Sequence, residues 1–558
     1  MRFCSRLFII EIKGFCKSVN VVRYFKTSYL GCSQFEKLIT KIDMKKNKPY
    51  RVITTSCIFV LFCILIMTGC KDANDHQKDI IGMLKSKGSS EITGSYWGIQ
   101  AGTLEDTLLD KAAEIGVKWT RLGASWPSIE KEKGEFDWSE TDVAFTKIFD
   151  KGITPFVTLG SGNKLYTALS TYDDPKLAEI YGYRPGPPTQ NPEALEAWLR
   201  FVRATVERYQ DIIKYWEIWN EPNHRNYWGA PPDGKSYGRL LNVTAALIKE
   251  IDPEAIIIGG SMAGIEPEFT EDFLSAGTAD LIDIISYHNY GAIPEERIYK
   301  AIELWEVIDR YNADIQLWQG ECGYPSHSST RDYRGISPWG LNIQSKWLLR
   351  QAFTDVFFCK ATLSNYFKLV HLGGRGTVKE RSMLSPVDSI LGFPERGGSR
   401  VRTWGVNEKC LLANPDLKPK PAYFTYQNLC SVLDDSYRTK KISYEIQVLD
   451  QGMFYGIGPE DDAFPSVPLV AGFVTEEEHY LLAYWLPWHP QEYTPDPATM
   501  NLVIKNCRFE KPVRIDLITG TVHEINDVEI KANEIVFKGI PLSDYPFIIA
   551  ELDEINLK

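Results

Sequence analysis

The chain has 558 residues, beyond the ~100–200 of a single domain, so a large domain with an accessory module is expected. Its 44% apolar and 24% charged residues exclude global disorder. The formal charge of −11 is unevenly spread: through Gly69 there are 12 Lys+Arg against 3 Asp+Glu, and beyond it 50 against 70, a net of −20 that excludes nucleic acid as a partner.

Met44-Lys45-Lys46-Asn47-Lys48 reads as the basic start of a signal peptide, and Ile58–Met67 as its apolar run. Ten apolar residues fall short of the ~20 needed to span a bilayer. The run ends Ile66-Met67-Thr68-Gly69-Cys70 before polar Lys71-Asp72, which resembles a bacterial lipoprotein signal with Cys70 as the lipid-attachment site. An ordinary cleaved secretory signal is the alternative. Residues 1–43 fit neither pattern and read as an upstream extension, residues 44–69 as the signal, and residues 70–91 as a tether, Lys/Ser/Gly-rich from about Gly82 to Ser90. An exported lipoprotein is expected, at the periplasm or outer-membrane surface, meeting the membrane through its anchor only. Of 11 cysteines, six lie at or before Cys70 and five are scattered singly, so neither a disulfide framework nor a zinc site is expected.

Short apolar runs then alternate with amphipathic stretches. Strands are expected at Tyr96–Gln100, Trp119–Leu122, Thr154–Leu159, Tyr215–Trp219, Ala255–Gly260, Leu281–His288, Ile315–Gly320 and Thr362–Val370. Helices are expected at Leu104–Ile115, capped by Thr103 and stopped by Gly116, and at Glu140–Asp150. Asn191 with Pro192 opens the third, and others follow near Tyr237–Ile251, Glu295–Tyr311, Ile343–Phe358 and Pro421–Leu433. Eight βα units over residues 92–433 predict an α/β fold, a (β/α)8 TIM barrel. An open doubly wound sheet is the alternative, but no GxGxxG follows the first strand. Beyond Asp434 the helical periodicity stops. Tyr480–Trp485, Asn501–Lys505, Val513–Leu517, Thr521–Ile525 and Glu534–Lys538 read as short strands between turns, and residues 440–558 as a C-terminal β-sandwich.

The sharpest motif is Tyr215-Trp216-Glu217-Ile218-Trp219-Asn220-Glu221-Pro222-Asn223. Glu221 stands where the fourth strand runs out, and Pro222 prevents its continuation. Glu321, in Gln319-Gly320-Glu321-Cys322-Gly323, ends the seventh strand one hundred residues later. Side chains at the C-terminal strand ends of a barrel face one mouth. Two carboxyls about 5–5.5 Å apart across a sugar ring suit double displacement at an anomeric carbon. Trp126, Trp228, Trp318 and Trp404 are candidates for stacking on sugar, with Trp318 and Trp404 preferred. Glu217 reads as a structural partner of Arg121, and Cys322 as packing. No HxH or HExxH spacing occurs, so neither metal nor cofactor is expected.

Trp219-Asn220-Glu221-Pro222 on strand four, paired with Glu321 on strand seven, resembles the (β/α)8 clan of retaining glycoside hydrolases. Together with Ser286-Tyr287-His288-Asn289-Tyr290 and Gly134-Glu135-Phe136-Asp137-Trp138, the likeness is greatest to family 39 and its relatives, and looser to family 5. The resemblance implies a retaining β-glycosidase acting on oligo- or polysaccharides, with Glu221 as acid/base and Glu321 as nucleophile. It further implies Asn220 on the sugar 2-hydroxyl, Arg121 keeping the nucleophile ionised, and His288 and Tyr290 beside it. Two features depart from the clan: strand eight carries no Trp, and strand three ends Gly160-Ser161-Gly162-Asn163 without a His. A glycan-binding lipoprotein on a decayed barrel, or a transglycosylase, are the alternatives.

Overall fold

The computed structural model describes residues 79–101, 105–169, 184–290, 293–326, 339–371, 409–413, 416–452, 454, 467–493 and 496–558. All lie in one compact unit, Lys78–Lys558. Residues 1–43, the signal, Cys70 and Trp404 lie outside the described residues.

The first strand, β1 (Ile80–Met83), overturns part of the tether expectation. It pairs antiparallel with Thr521–His523 of the C-terminal region, and Leu84 and Ile92 behind it are buried. Ile80, Ile81 and Met83 are exposed, so it is backbone pairing with Thr521–His523 and the burial of Leu84 that hold residues 80–83 in a sheet.

The barrel strands are β2 (Trp97–Ile99), β3 (Trp119–Ser125), β4 (Thr154–Gly160), β5 (Tyr215–Ile218), β6 (Ile256–Ala263), β7 (Ile284–His288), β8 (Gln316–Cys322) and β9 (Leu363–Tyr366). Every neighbouring pair is parallel, and β2 pairs with β9 to close the ring. The helices that pack round it are α1 (Asp106–Ile115), α2 (Ser139–Asp150), α3 (Pro192–Tyr209), α4 (Gly234–Ile251), α5 (Pro267–Phe273), α6 (Ile298–Tyr311), α7 (Leu341–Phe353) and α8 (Pro421–Val432). Local chemistry sets their ends. Asn191 Oδ1 accepts from the Ala194 N–H at 2.8 Å to start α3. Gly116 ends α1 with φ of 91°, and a Cβ there would stand 2.6 Å from the Lys87 carbonyl oxygen. Thr103, expected as the cap of α1, lies outside the described residues; the helix begins at Asp106 with Glu105 at the cap position.

Period-two alternation divides the barrel interior. Near the N-terminal ends of the strands, Phe156, Ile258, Ile284, Trp318 and Leu363 form an apolar plug, with Trp119, Tyr215 and Ile256 packed on it. Two residues further along, Arg121, Thr158, Glu217 and Ser286 replace apolar side chains with polar ones. The barrel interior is therefore apolar at one end and polar at the other.

The remaining strands are β10 (Arg438–Thr439), β11 (Ser443–Asp450), β12 (Leu469–Val474), β13 (Tyr480–Trp485), β14 (Ala498–Lys505), β15 (Pro512–Asp516), β16 (Thr521–Glu524), β17 (Val528–Lys531), β18 (Glu534–Leu542) and β19 (Phe547–Glu551). They form antiparallel sheets in the orders β1-β16-β15-β19-β13-β12-β10 and β11-β14-β18-β17. The five expected strands are present, and β10, β11, β12, β17 and β19 are additional to them; β12 and β19 are buried nearly throughout and lack the polar alternation that marks a half-exposed strand.

This module shares its core with the barrel. Phe353 of α7 packs on Phe473 and Trp485, with ring centroids 6.0 and 6.2 Å apart. Beside them Lys346 Nζ donates to both Asp544 oxygens, at 2.9 and 2.8 Å. Arg350 grips Glu295 in a two-pronged pair at 2.7 and 2.8 Å, and the Trp485 indole donates to the same carboxylate. Paired in this way, the buried charges fix orientation between the two sheets' module and α7, the helix that follows β8.

Candidate active site

Glu221 and Glu321 stand at the C-terminal ends of β5 and β8. β5 stops at Ile218, and the chain turns with two residues in the left-handed region, Trp219 at φ 72° and Glu221 at φ 47°. Such backbone is costly for a side-chain-bearing residue and persists only where the surroundings enforce it. Here the Trp219 ring is buried between Trp198 and Trp228, and the Glu221 N–H donates to the Ser261 carbonyl at 2.8 Å. Ser261 itself has φ of 47° in an irregularity of the β6–β7 ladder. Asn223 exchanges two hydrogen bonds with the backbone of Ala263, so its role is to tie the turn to β6.

Arg121 is the hub. Its Nε donates to Glu217 Oε2 at 2.7 Å, Nη1 to Glu321 Oε2 at 2.8 Å, and Nη2 to Asn220 Oδ1 at 2.8 Å and Ser261 Oγ at 3.1 Å. One planar fork thereby fixes the ends of four strands. Glu217 is fully buried and also accepts from Thr158 Oγ1 at 2.6 Å, which makes it the structural partner expected for Arg121.

His288 lies between the two carboxylates. Its Nδ1 is 3.2 Å from Glu221 Oε1 and 4.0 Å from Glu321 Oε2, and its Nε2 is 3.1 Å from Ser261 Oγ. Tyr290 donates its hydroxyl to Glu321 Oε1 at 2.6 Å. Burial pushes the Glu321 carboxyl up, but His288, Arg121, the Tyr290 hydrogen bond and Lys409 together outweigh it and hold the group below its ordinary value. Burial pushes the Tyr290 phenol well up, with the Glu321 charge adding to it, so the hydroxyl stays a donor.

Asn220, Arg121, His288 and Tyr290 thus meet round the two glutamates. Trp318 does not. It is 97% buried in the plug at the other end of the barrel, with ring centroids 5.2 Å from Trp119 and 5.4 Å from Phe156, and its indole donates to Thr362 Oγ1. Trp318 lies three residues before Glu321 along β8 and on the inward stripe of the lower layer, so no sugar at the mouth reaches it. Trp318→Ala is expected to cost about 3–5 kcal/mol of stability while leaving substrate KM within about twofold, by denaturant unfolding and steady-state kinetics. Trp126 and Trp228 are likewise buried core residues.

Sequence reasoning missed Ser261, Phe367 and Lys409. Phe367 follows β9 where the clan's Trp is absent, and its ring stands edge-on to Tyr290 at 6.1 Å. Lys409 holds its ammonium 3.8 Å from the Tyr290 ring centroid. The strand-end position of Phe367 was a usable signal. Ser261 and Lys409 had none, since one depends on a ladder irregularity and the other lies well past the last barrel strand.

Residues 128–310 match the profile of glycosyl hydrolases family 39. The barrel is similar to those of family 39 glycoside hydrolases. Over 108 residues, 18% of the chain, it is 32% identical to a β-xylosidase of Geobacillus stearothermophilus. That stretch spans 21% of the β-xylosidase, and the curated relatives are matched over only about a fifth of their length. The family-39-like fold extends further. A family 39 glycoside hydrolase from Bacteroides cellulosilyticus WH2 superposes with a TM-score of 0.55 at 18% identity, over 82% of this chain and 80% of that one. A family 30 endoxylanase from Clostridium papyrosolvens gives 0.53 at 10% identity, over 85% and 98%.

Proposed function

We propose that this chain is a retaining β-glycosidase that hydrolyses O-glycosidic bonds of oligo- or polysaccharides. The observation that carries the reading is the reach of one imidazole nitrogen to both carboxylates, at 3.2 and 4.0 Å, which keeps those two oxygens within the sum of these distances. That sum, about 7 Å, accommodates the about 5–5.5 Å of retaining pairs and only the shortest of the about 6.5–9.5 Å of inverting pairs, and the retaining outcome itself rests on the likeness to family 39.

In the first step the Glu321 carboxylate attacks the anomeric carbon, while Glu221 gives its proton to the departing glycosidic oxygen. The C–O bond to the leaving group breaks as the ester to Glu321 forms. In the second step Glu221 takes a proton from water, the hydroxide oxygen bonds to the anomeric carbon, and Glu321 leaves as carboxylate. Asn220, oriented by Arg121, is assigned to the sugar 2-hydroxyl. Tyr290 steadies the Glu321 oxygen that does not attack. Phe367 supplies an apolar wall at the sugar site.

The Geobacillus relative named as a β-xylosidase makes an aryl β-xyloside the first substrate to try. Glu221→Ala is expected to accumulate glycosyl-enzyme and turn over slowly, and added azide to restore rate by forming a β-glycosyl azide. Wild-type-like turnover without azide, or an α-azide product, would remove Glu221 from the acid/base role. The leader, with its apolar run ending at Gly69-Cys70, supports export and lipid anchoring.

A further inference from the structure

Glu321 and Tyr290 must be held in register, yet the ladder between their strands ends before either. The last paired residues of β7 and β8 are Tyr287 and Gln319. On its other side, β8 loses register with β9 between Gln319 and Cys322, so Glu321 sits on a bulge. Each end is held on its outer side, where the Gly264 N–H donates to the His288 carbonyl at 2.7 Å, Asn365 Nδ2 to the Gly320 carbonyl at 2.8 Å and the Phe367 N–H to the Cys322 carbonyl at 2.7 Å; between the two ends the Tyr290–Glu321 hydrogen bond has one further link behind it.

That link is a thiol. Cys322, next to Glu321 and fully buried, donates its S–H to the carbonyl of Asn289 at 3.0 Å, and Asn289 lies between His288 and Tyr290. Behind the sulfur, Arg297 Nη2 stands 3.6 Å from Sγ and donates to Tyr324 Oη at 2.9 Å. The guanidinium is itself buried, with Asp355 3.9 Å from its Nη1. Burial pushes the thiol up, so it keeps the proton that it donates.

We propose that Cys322 is a positioning residue: its thiol, backed by the Arg297 guanidinium, locks the strand end that carries Tyr290 to the one that carries Glu321. The residue read from sequence as mere packing acts through the Tyr290 hydroxyl. The kinetic consequence rests on the glycosidase reading, whereas the positioning itself does not.

The test compares Cys322→Ala, Cys322→Ser, Tyr290→Phe and the Cys322→Ala/Tyr290→Phe double variant, after thermal unfolding has verified that each folds. Cys322→Ala is expected to lower kcat/KM on an aryl β-glycoside about tenfold, the effect of one lost hydrogen bond, and to move the acid limb of its pH profile upward. The sign follows from chemistry: without the Tyr290 hydrogen bond the Glu321 carboxyl rises, and the nucleophile is ionised only at higher pH. Cys322→Ser, whose hydroxyl can donate to Asn289, restores most of the rate and the profile. The double variant is no slower than Tyr290→Phe alone. A Cys322→Ala profile that superimposes on the wild type, or losses that multiply in the double variant, would overturn the proposal. Crystal structures of the Ala and Ser variants decide it independently of activity, by whether the 2.6 Å Tyr290–Glu321 contact is broken in the first and kept in the second. If the wild type cleaves no glycoside, the glycosidase reading fails and this structural comparison alone judges the lock.

Discussion

Glu321→Ala is expected to lower kcat on an aryl β-glycoside by roughly five orders of magnitude, as loss of a covalent nucleophile does. Among the described residues nothing nearby can substitute. Glu221 is held on the far side of His288, Glu217 is buried under Arg121, and the Tyr290 phenol is held well above the range in which it would ionise. The same variant is expected to unfold within about 1 kcal/mol of the wild type, because the carboxylate is only partly buried and its removal relieves desolvation as well as losing ion pairs. A stopped assay of product release, with denaturant unfolding alongside, separates the two effects. Residual turnover above one per cent would mean that another group attacks the sugar.

Arg121→Met is expected to do two things at once. It strands Glu217, fully buried, without its guanidinium, and breaking a buried pair on one side costs about 3–5 kcal/mol. It also removes a cation from Glu321 and a clamp from Asn220, for a loss of about 10²–10³-fold in kcat/KM. The pH dependence has a definite sign. Arg121 helps hold the Glu321 carboxyl low, so without it that carboxyl rises and the acid limb moves to higher pH. Arg121→Lys retains the charge but not the fork, and is expected to recover part of the stability and little of the rate. Equal kcat/KM in Arg121→Met and wild type would confine Arg121 to a structural role.

Much of this was readable along the chain because barrel strands repeat one grammar. An apolar run, a polar turn and an amphipathic helix recur eight times, and the two glutamates fall at equivalent points of two units. Asn191-Pro192 and Gly116 marked real helix ends for local reasons that tertiary context left intact. Trp318 was misread because an inward-facing aromatic on a barrel strand serves equally as plug or sugar platform. Only its height along β8 decides, and composition does not encode height. β1 was misread because a strand that pairs with residues more than four hundred positions away leaves little local trace. Ser261 reaches the site through a ladder irregularity and Lys409 from well past the last barrel strand, and neither circumstance has a sequence period.

The most direct measurement is proton NMR of the first sugar released from an aryl β-xyloside, or from whichever aryl β-glycoside a substrate panel selects, recorded before mutarotation. Appearance of the β-anomer ahead of the α-anomer is the expected result, since two successive displacements restore configuration. Initial release of the α-anomer would mean that water, not Glu321, attacks the glycosidic carbon, and would contradict the nucleophile placed at the end of β8.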